Sequence, residues 1–296
     1  MKIAVYCRKN SISDVEFIHH ALWFMKIKGV ELIIHENLNE ENKLSVLSDG
    51  CTIFKNYNDL VDNSPIDFCI SFGGDGSFID TANIVADLGI PIVGVNTGRI
   101  GFLTSVTKKN FEKYFNYLKK GDFIIEERSL LHLSADKELP LNNFFAVNDV
   151  TIRPSDDTSV NGILVWINGE KVNTYWADGL IVATPTGSTA YSLSCGGPIL
   201  HPSTNVNIIT PISSHTLAVR PIIVNNNDNI TIKVQSRCNR FVLALDSTRL
   251  EIENPCELTI TKERFTVKTP RFHANDYYSI IREKLMWGID LRNFTE

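Results

Sequence analysis

The chain has 296 residues, enough for one large domain or two. Hydrophobic residues make up 43% and charged residues 21%, the balance of a globular protein with a sizeable core. The net charge of −5 excludes a broad nucleic-acid-binding face, which needs clustered cations, but leaves room for small anionic ligands held by backbone N–H groups. No apolar run approaches the roughly 20 residues of a membrane span, so no membrane contact is expected. The first eight residues read as a strand rather than a signal peptide, because their apolar part is too short. Cys7, Cys51, Cys69, Cys195, Cys238 and Cys256 are scattered, with no CxxC pair, and read as free thiols of a cytoplasmic protein.

In chain order, residues 2–7 predict a strand and residues 14–28 a helix with Val15, Ile18, Leu22 and Met25 on one face. Residues 30–35 are a second strand, and residues 68–72 a continuous apolar strand of the kind covered by helices on both faces. A helix follows over 78–88, with Phe78, Ala82, Val85 and Leu88 on one face, then a strand over 90–95 and a helix over 111–119. This alternation implies an α/β, Rossmann-like domain with a parallel sheet. From Phe123 the pattern changes to short strands at 144–152, 163–167, 180–184, 222–224, 230–234, 241–245 and 258–260. The expected architecture is therefore an α/β N-terminal domain over 1–128 and a β-rich C-terminal domain over 129–276. A last helix at 276–285 lies in a segment, 277–296, expected to pack back on the first domain.

Two glycine-rich stretches carry the chemistry. The first is Gly73-Gly74-Asp75-Gly76-Ser77, between a strand and a helix. Such a turn aims N–H groups at an anion with the helix dipole behind them. The aspartate is the unusual part. A phosphate cradle does not need an acid, so Asp75 reads as a proton acceptor or a metal holder in a kinase-like site. A tight structural loop is the plainer alternative. The second stretch is Thr184-Pro185-Thr186-Gly187-Ser188-Thr189-Ala190-Tyr191, after a strand that opens with Asp178-Gly179. Small residues leave room for a flat ring, and hydroxyls and N–H groups read polar edges. Thr186 and Ser188 are equally good helix caps, so a capping turn remains open.

Together these stretches resemble the NAD kinase family, which makes NADP from NAD and ATP. Residues 73–77 are similar to its GGDG signature, and Asn96-Thr97-Gly98-Arg99-Ile100-Gly101-Phe102-Leu103-Thr104 to the strand and glycine turn that follow. Asn148-Asp149 falls at its Asn–acid pair, and residues 184–191 at its longest motif. The resemblance runs in order from about residue 67 to residue 202. It departs at Ser77 and Asp149, where threonine and glutamate are commoner, and Asp80 and Trp176 lie near positions where several members carry basic residues.

The resemblance implies a two-domain fold and transfer of the ATP γ-phosphoryl group to the 2′-hydroxyl of the adenosine ribose of NAD. Asp75 would be catalytic and would touch NAD together with Gly76. Gly73, Gly74, Gly76 and Ser77 would meet the phosphates. Asn148 would read the adenine edge and Asp149 the ribose hydroxyls, while Asp178 would accept from an amide or amino group. Thr186, Thr189, Ala190, Tyr191, Ser192, Leu193 and Ser194 would complete the NAD site. Mg²⁺ or another divalent ion would accompany ATP, with no protein ligand named, and the protein would be a homodimer or homotetramer. A GGDG-type lipid kinase and a non-catalytic NAD(P) sensor are the rival readings; the acidic balance and the Asn148-Asp149 pair disfavour the first, and Asp75 the second. His132, His201, His215 and His273 read as structural. The segment after the first strand, Cys7-Arg8-Lys9-Asn10, lacks the GxGxxG of a hydride-transfer enzyme.

Overall fold

The computed structural model describes residues 1–8, 15–40, 51–98, 101–104, 106–155, 162–235, 240–272 and 277–286. Asp14, Arg99, Ile100, Cys238, His273 and Asp276 lie outside them. The chain divides into two compact units, one of Met1–Glu126 with Lys268–Glu296 and one of Glu127–Val267. The return to the first unit thus comes at Lys268, ahead of the position 277 expected from the sequence.

The first unit is an α/β domain. Its described elements are β1 (Lys2–Cys7), α1 (Val15–Ile27), β2 (Glu31–His35), α2 (Glu36–Glu40), β3 (Thr52–Phe54), α3 (Tyr57–Asp62), β4 (Phe68–Gly73), α4 (Asp75–Val85), β5 (Ile92–Asn96), β6 (Val106–Thr107) and α5 (Phe111–Lys120). The six strands form one parallel sheet in the order β3-β2-β1-β4-β5-β6. That order reverses between β1 and β4, and ligands of such sheets bind beyond the strand ends at the reversal. Both strands are almost wholly buried, as their unbroken apolar runs require. The predicted stripe of α1 is real: Ile18, Leu22 and Met25 are buried. In α5 the residues Phe111, Phe115 and Leu118 recur at helical spacing and face the same core, and Gly121 ends the helix at φ 71°. Each such buried side chain contributes about 1.5–3 kcal/mol of transfer free energy.

One element differs in a way that matters. The helix expected over 78–88 begins at Asp75 and runs as α-helix to Val85, finishing as a 3₁₀ turn over Ala86–Leu88. Asp75 is therefore helical rather than part of the turn. The turn closes earlier because Gly73 adopts φ 141° and Gly74 is extended as the N-cap.

The chain passes to the second unit within β7 (Ile124–Arg128) and returns within β20 (Val267–Arg271). Between them lie β8 (Leu131–Ala135), β9 (Phe145–Ala146), β10 (Asp149–Pro154), β11 (Gly162–Ile167), β12 (Glu170–Trp176), β13 (Gly179–Ala183), α6 (Tyr191–Ser194), β14 (Val206–Ile212), β15 (Ile222–Asn225), β16 (Ile230–Gln235), β17 (Arg240–Leu245), β18 (Thr248–Glu253) and β19 (Glu257–Lys262). They build two antiparallel sheets, β15-β14-β13-β10-β17-β18 and β12-β11-β16-β19-β8-β9. One core lies between the sheets, with Val150, Ile152, Leu180, Val182, Leu243 and Leu245 from the first and Leu131, Leu133, Ile163, Ile232, Leu258 and Ile260 from the second. On β13 the alternate residues Ile181 and Ala183 face the other way, toward Ile212 and Cys195.

The single strand expected over 144–152 is two strands, broken at Val147-Asn148. There the backbone donors leave the ladder for a side chain described below. The last element, α7 (Tyr277–Leu285), belongs to the first unit. Cys7, Cys51, Cys69, Cys195 and Cys256 form no disulfide among the described residues. No helix among the described residues is long and apolar enough to cross a membrane.

Candidate active site

In the first unit, the 73–77 segment leaves β4 at the sheet reversal. A methyl group on Gly73 would sit 2.2 Å from Ser77 Oγ, so both the positive φ and the packing require glycine. Ser77 is buried, and its carbonyl accepts from Thr81 Oγ1 at 2.8 Å. Asp75 opens α4, where a carboxylate meets the positive end of the helix dipole. Its Oδ2 accepts from Phe102 N–H at 2.7 Å and its Oδ1 from Leu103 N–H at 2.9 Å. The loop after β5 is thereby tied to the turn. Gly101 lies so close that an added methyl group would sit 1.8 Å from Asp75 Oδ1. Thr104 Oγ1 also reaches Oδ1 at 3.5 Å, so the structural reading of Asp75 is realised, while Oδ2 keeps a lone pair for a further donor.

Arg8 follows β1 directly and lies across the reversal from β4. Its guanidinium is forked onto Asp80, Nε to Oδ2 at 2.6 Å and Nη2 to Oδ1 at 2.7 Å. Nη2 also reaches the Gly76 carbonyl at 3.4 Å. Tyr6 donates to Asp80 at 3.1 Å; burial, and then the Asp80 charge, push that phenol up. The acid at position 80 thus brings its own cation. Sequence reasoning missed Arg8; the signal available was its place right after the first strand of a β1/β4 reversal.

In the second unit, Asp246 organises the other pair. Its Oδ2 accepts from Val147 N–H at 2.8 Å, and its Oδ1 from Asn148 N–H at 2.7 Å and Asp149 N–H at 3.1 Å. This takes the donors of 147–149 and breaks the expected strand. Asp149 is itself buried and accepts from Thr151 Oγ1 at 3.0 Å. Burial first, and the Asp246 charge second, push the Asp149 carboxyl up to about 7, with the Thr151 hydroxyl opposing. Burial raises Asp246 too, against the three N–H donors that favour its charged form.

The 184–194 segment packs against that pair. Thr184 donates its N–H to Asn148 O at 2.8 Å and its hydroxyl to Val147 O at 2.7 Å. Gly187 approaches so near that a methyl group would meet Asn148 O at 2.1 Å. Ser188 Oγ accepts from Leu200 N–H at 3.0 Å, and Ser192 Oγ meets Thr210 Oγ1 at 2.8 Å. Thr186 is buried beside Arg128, whose Nη1 reaches its hydroxyl at 3.3 Å. These hydroxyls are engaged internally but cap no helix: the N-cap positions are Pro185 for the 3₁₀ turn over Thr186–Thr189 and Ala190 for α6, and neither is capped by a side chain. Tyr191 and Ser194 are exposed, and Thr189, Ala190 and Leu193 half-buried, so these present the accessible wall.

Asp178 is not brought to this cluster. It precedes Gly179 at the start of β13, whereas Asp149 pairs opposite Ala183 at its end. Asp178 is half exposed and lies 3.1 Å from His215 Nε2. No group of three His, Cys, Asp or Glu side chains that could cage a metal occurs among the described residues. A divalent ion carried by nucleotide phosphates needs only one or two carboxylates from protein, and Asp75 fits that demand.

Comparison with known proteins places these residues in context. Residues 7–123 match the ATP-NAD kinase N-terminal domain, and residues 147–272 the ATP-NAD kinase C-terminal domain. The NAD kinase of Cytophaga hutchinsonii is 38% identical over 297 residues, covering 99% of this chain and 100% of its own. That of Flavobacterium johnsoniae is 37% identical over 302 residues, with the same coverage. Among solved structures, yeast NADH kinase complexed with NADH superposes with a TM-score of 0.86 at 23% identity, covering 100% of this chain and 90% of that one. An Archaeoglobus fulgidus NAD kinase in complex with ATP gives a TM-score of 0.74 at 23% identity, covering 97% of this chain and 99% of that one. At that identity the two structures speak for the fold.

Proposed function

The chain belongs to the NAD kinase family and phosphorylates NAD to NADP with ATP; from that premise we propose how its residues divide the work. The ribose O2′ attacks the γ-phosphorus of ATP, forming the new O–P bond. The bond from that phosphorus to the bridging oxygen breaks, and ADP leaves with the electron pair. Asp75 takes the hydroxyl proton. Gly73, Gly74, Gly76 and Ser77 form the phosphate turn at the end of β4. Mg²⁺ or another divalent ion, bound with ATP, supplies neutralisation of phosphate oxygens.

Asn148 reads the adenine, which an amide can do with one donor and one acceptor. Asp149 accepts from ribose hydroxyls, and Asp178 from an amide or amino group. Thr189, Ala190, Tyr191, Leu193 and Ser194 line the dinucleotide, while the buried Thr186 and Ser192 hold that wall in shape. The lipid-kinase and sensor readings are not favoured, since the likeness to NAD kinases spans 99% of the chain.

The observation that carries this division is the place of Asp75: first residue of a helix at the sheet reversal, with both oxygens fixed by backbone donors. The test is NADP formation from NAD, ATP and Mg²⁺ by the parent and by Asp75→Asn. A fall of about 10²- to 10⁴-fold supports the proton acceptor, as general-base help is of that size. Unchanged turnover removes Asp75 from the chemistry.

A homodimer or homotetramer is the assembly inferred, with β12 as a candidate contact. It ends its sheet and leaves Val172 and Trp176 exposed. Light scattering on the purified chain decides it. Cysteines that form no disulfide among the described residues suit a cytoplasmic location.

A further inference from the structure

Lys284, on α7, carries a buried ammonium. Its Nζ has no hydrogen-bond partner among the described residues. It stands 5.0 Å from the centroid of the Phe102 ring, and Phe102 is the residue whose N–H holds Asp75. One residue thus ties the ammonium and the carboxylate to the same corner of the first unit. Burial pushes Lys284 down to about 8, with the charges of Asp75 and Glu283 opposing the fall. A buried ammonium without an acceptor is costly, and removing it by an apolar group is expected to stabilise the fold.

The local supply of charge makes the position informative. The segment from Gly73 to Asp80 carries two carboxylates, Asp75 and Asp80, and no cation. Arg8 is committed to Asp80 through both ends of its fork. Both oxygens of Asp75 already accept from backbone N–H groups. Lys284 keeps its donors open where a highly anionic donor nucleotide has to be gathered.

We propose that Lys284 is a phosphate-binding residue of the transfer site, donating from Nζ to an oxygen of the ATP terminal phosphate beside Asp75. This rests on the reading of Asp75 and the 73–77 turn as the phosphoryl-transfer site. The unpartnered ammonium is the stored half of a charge-assisted hydrogen bond that ATP completes. Phe102 holds it in place meanwhile.

The experiment compares the parent with Lys284→Met and Lys284→Arg in three readouts: NADP formation with the KM values for ATP and NAD separated, melting temperature without ligand, and the rise in melting temperature on adding ATP·Mg²⁺. For Lys284→Met the expected result is a fall of about 10²-fold in kcat/KM for ATP, the size seen when one preorganised donor to a reacting group is lost. The KM for NAD stays within about twofold, the ATP-induced rise shrinks, and the unliganded melting temperature is equal or higher. Lys284→Arg recovers part of the loss. The proposal is overturned if Lys284→Met keeps kcat/KM for ATP within about threefold, or if it melts earlier and loses ATP and NAD alike, as a structural residue would. A parent that makes no NADP would sink the kinase reading instead; the ATP-induced rise would still decide Lys284.

Discussion

Asp80 holds Arg8 by both carboxylate oxygens, and the guanidinium so held lies against Gly76, where a methyl group would sit 3.2 Å from Arg8 Nη1. Two residues far apart in the chain thus deliver one oriented cation to the phosphate turn. Arg8→Ala is expected to lower kcat/KM for ATP by about tenfold, a modest share of what an oriented arginine contributes to phosphoryl transfer. Asp80→Ala frees the fork and produces a similar loss. Because the two act as a unit, the double variant falls little below either single one. Additive losses in steady-state kinetics would show that they act separately.

Gly101 and Gly98 form a matched pair of tests. A methyl group on Gly101 drives into Asp75 Oδ1, whereas one on Gly98 meets no atom within 4 Å. Gly101→Ala displaces the carboxylate and is expected to cut NADP formation by about 10²-fold, the usual consequence of an ångström of misplacement. Gly98→Ala retains the N–H that donates to Asn96 Oδ1 at 2.9 Å, and leaves turnover and melting temperature near those of the parent. Equal effects of the two would break the link between Gly101 and Asp75.

The raised Asp149 makes both stability and binding depend on pH. Its folded-state value of about 7 lies above the unfolded reference of 3.8, so the folded state binds the extra proton between them. Stability from this group is present below the unfolded value and is lost as pH rises through about 7. Urea midpoints of the parent should fall relative to Asp149→Asn as pH rises from 3.8 to about 7, and run parallel to it above that. Binding runs the other way: only the ionised carboxylate accepts from both ribose hydroxyls, so the KM for NAD drops across the same range. A parent and variant with pH profiles parallel throughout would refute the assignment.

Asp246 serves the backbone of Asn148 and Asp149. Asp246→Ala strands three N–H donors and adds a strained residue at φ 48°. The expected cost is about 3 kcal/mol in denaturant unfolding, with a raised KM for NAD in whatever folds. Asp246→Asn tolerates that φ and keeps an acceptor, so it should be milder. A loss from asparagine as large as that from alanine would show that the negative charge itself, rather than the acceptor geometry, holds the segment.

Local signals carried much of this protein. The apolar runs of β1 and β4 and the stripe Ile18, Leu22, Met25 are short-range patterns, and each element formed where its pattern lay. The glycines of residues 73–77 announced a turn because only glycine tolerates the φ of Gly73. The break at Val147-Asn148 left no such trace, since residues 144–152 are apolar enough for one strand and the competing acceptor sits 98 residues away from Asn148. Asp80 looked like an acid without a cation until its partner, 72 residues earlier, was folded against it. Chain spacing specifies helices, strands and turns, because those are set by neighbours. Which carboxylate meets which donor, and which ammonium is left without one, is decided by the packing of distant segments. That is why Asp75 was legible from the residues around it, while the partners of Arg8 and Asp246 and the surroundings of Lys284 came only with the tertiary structure.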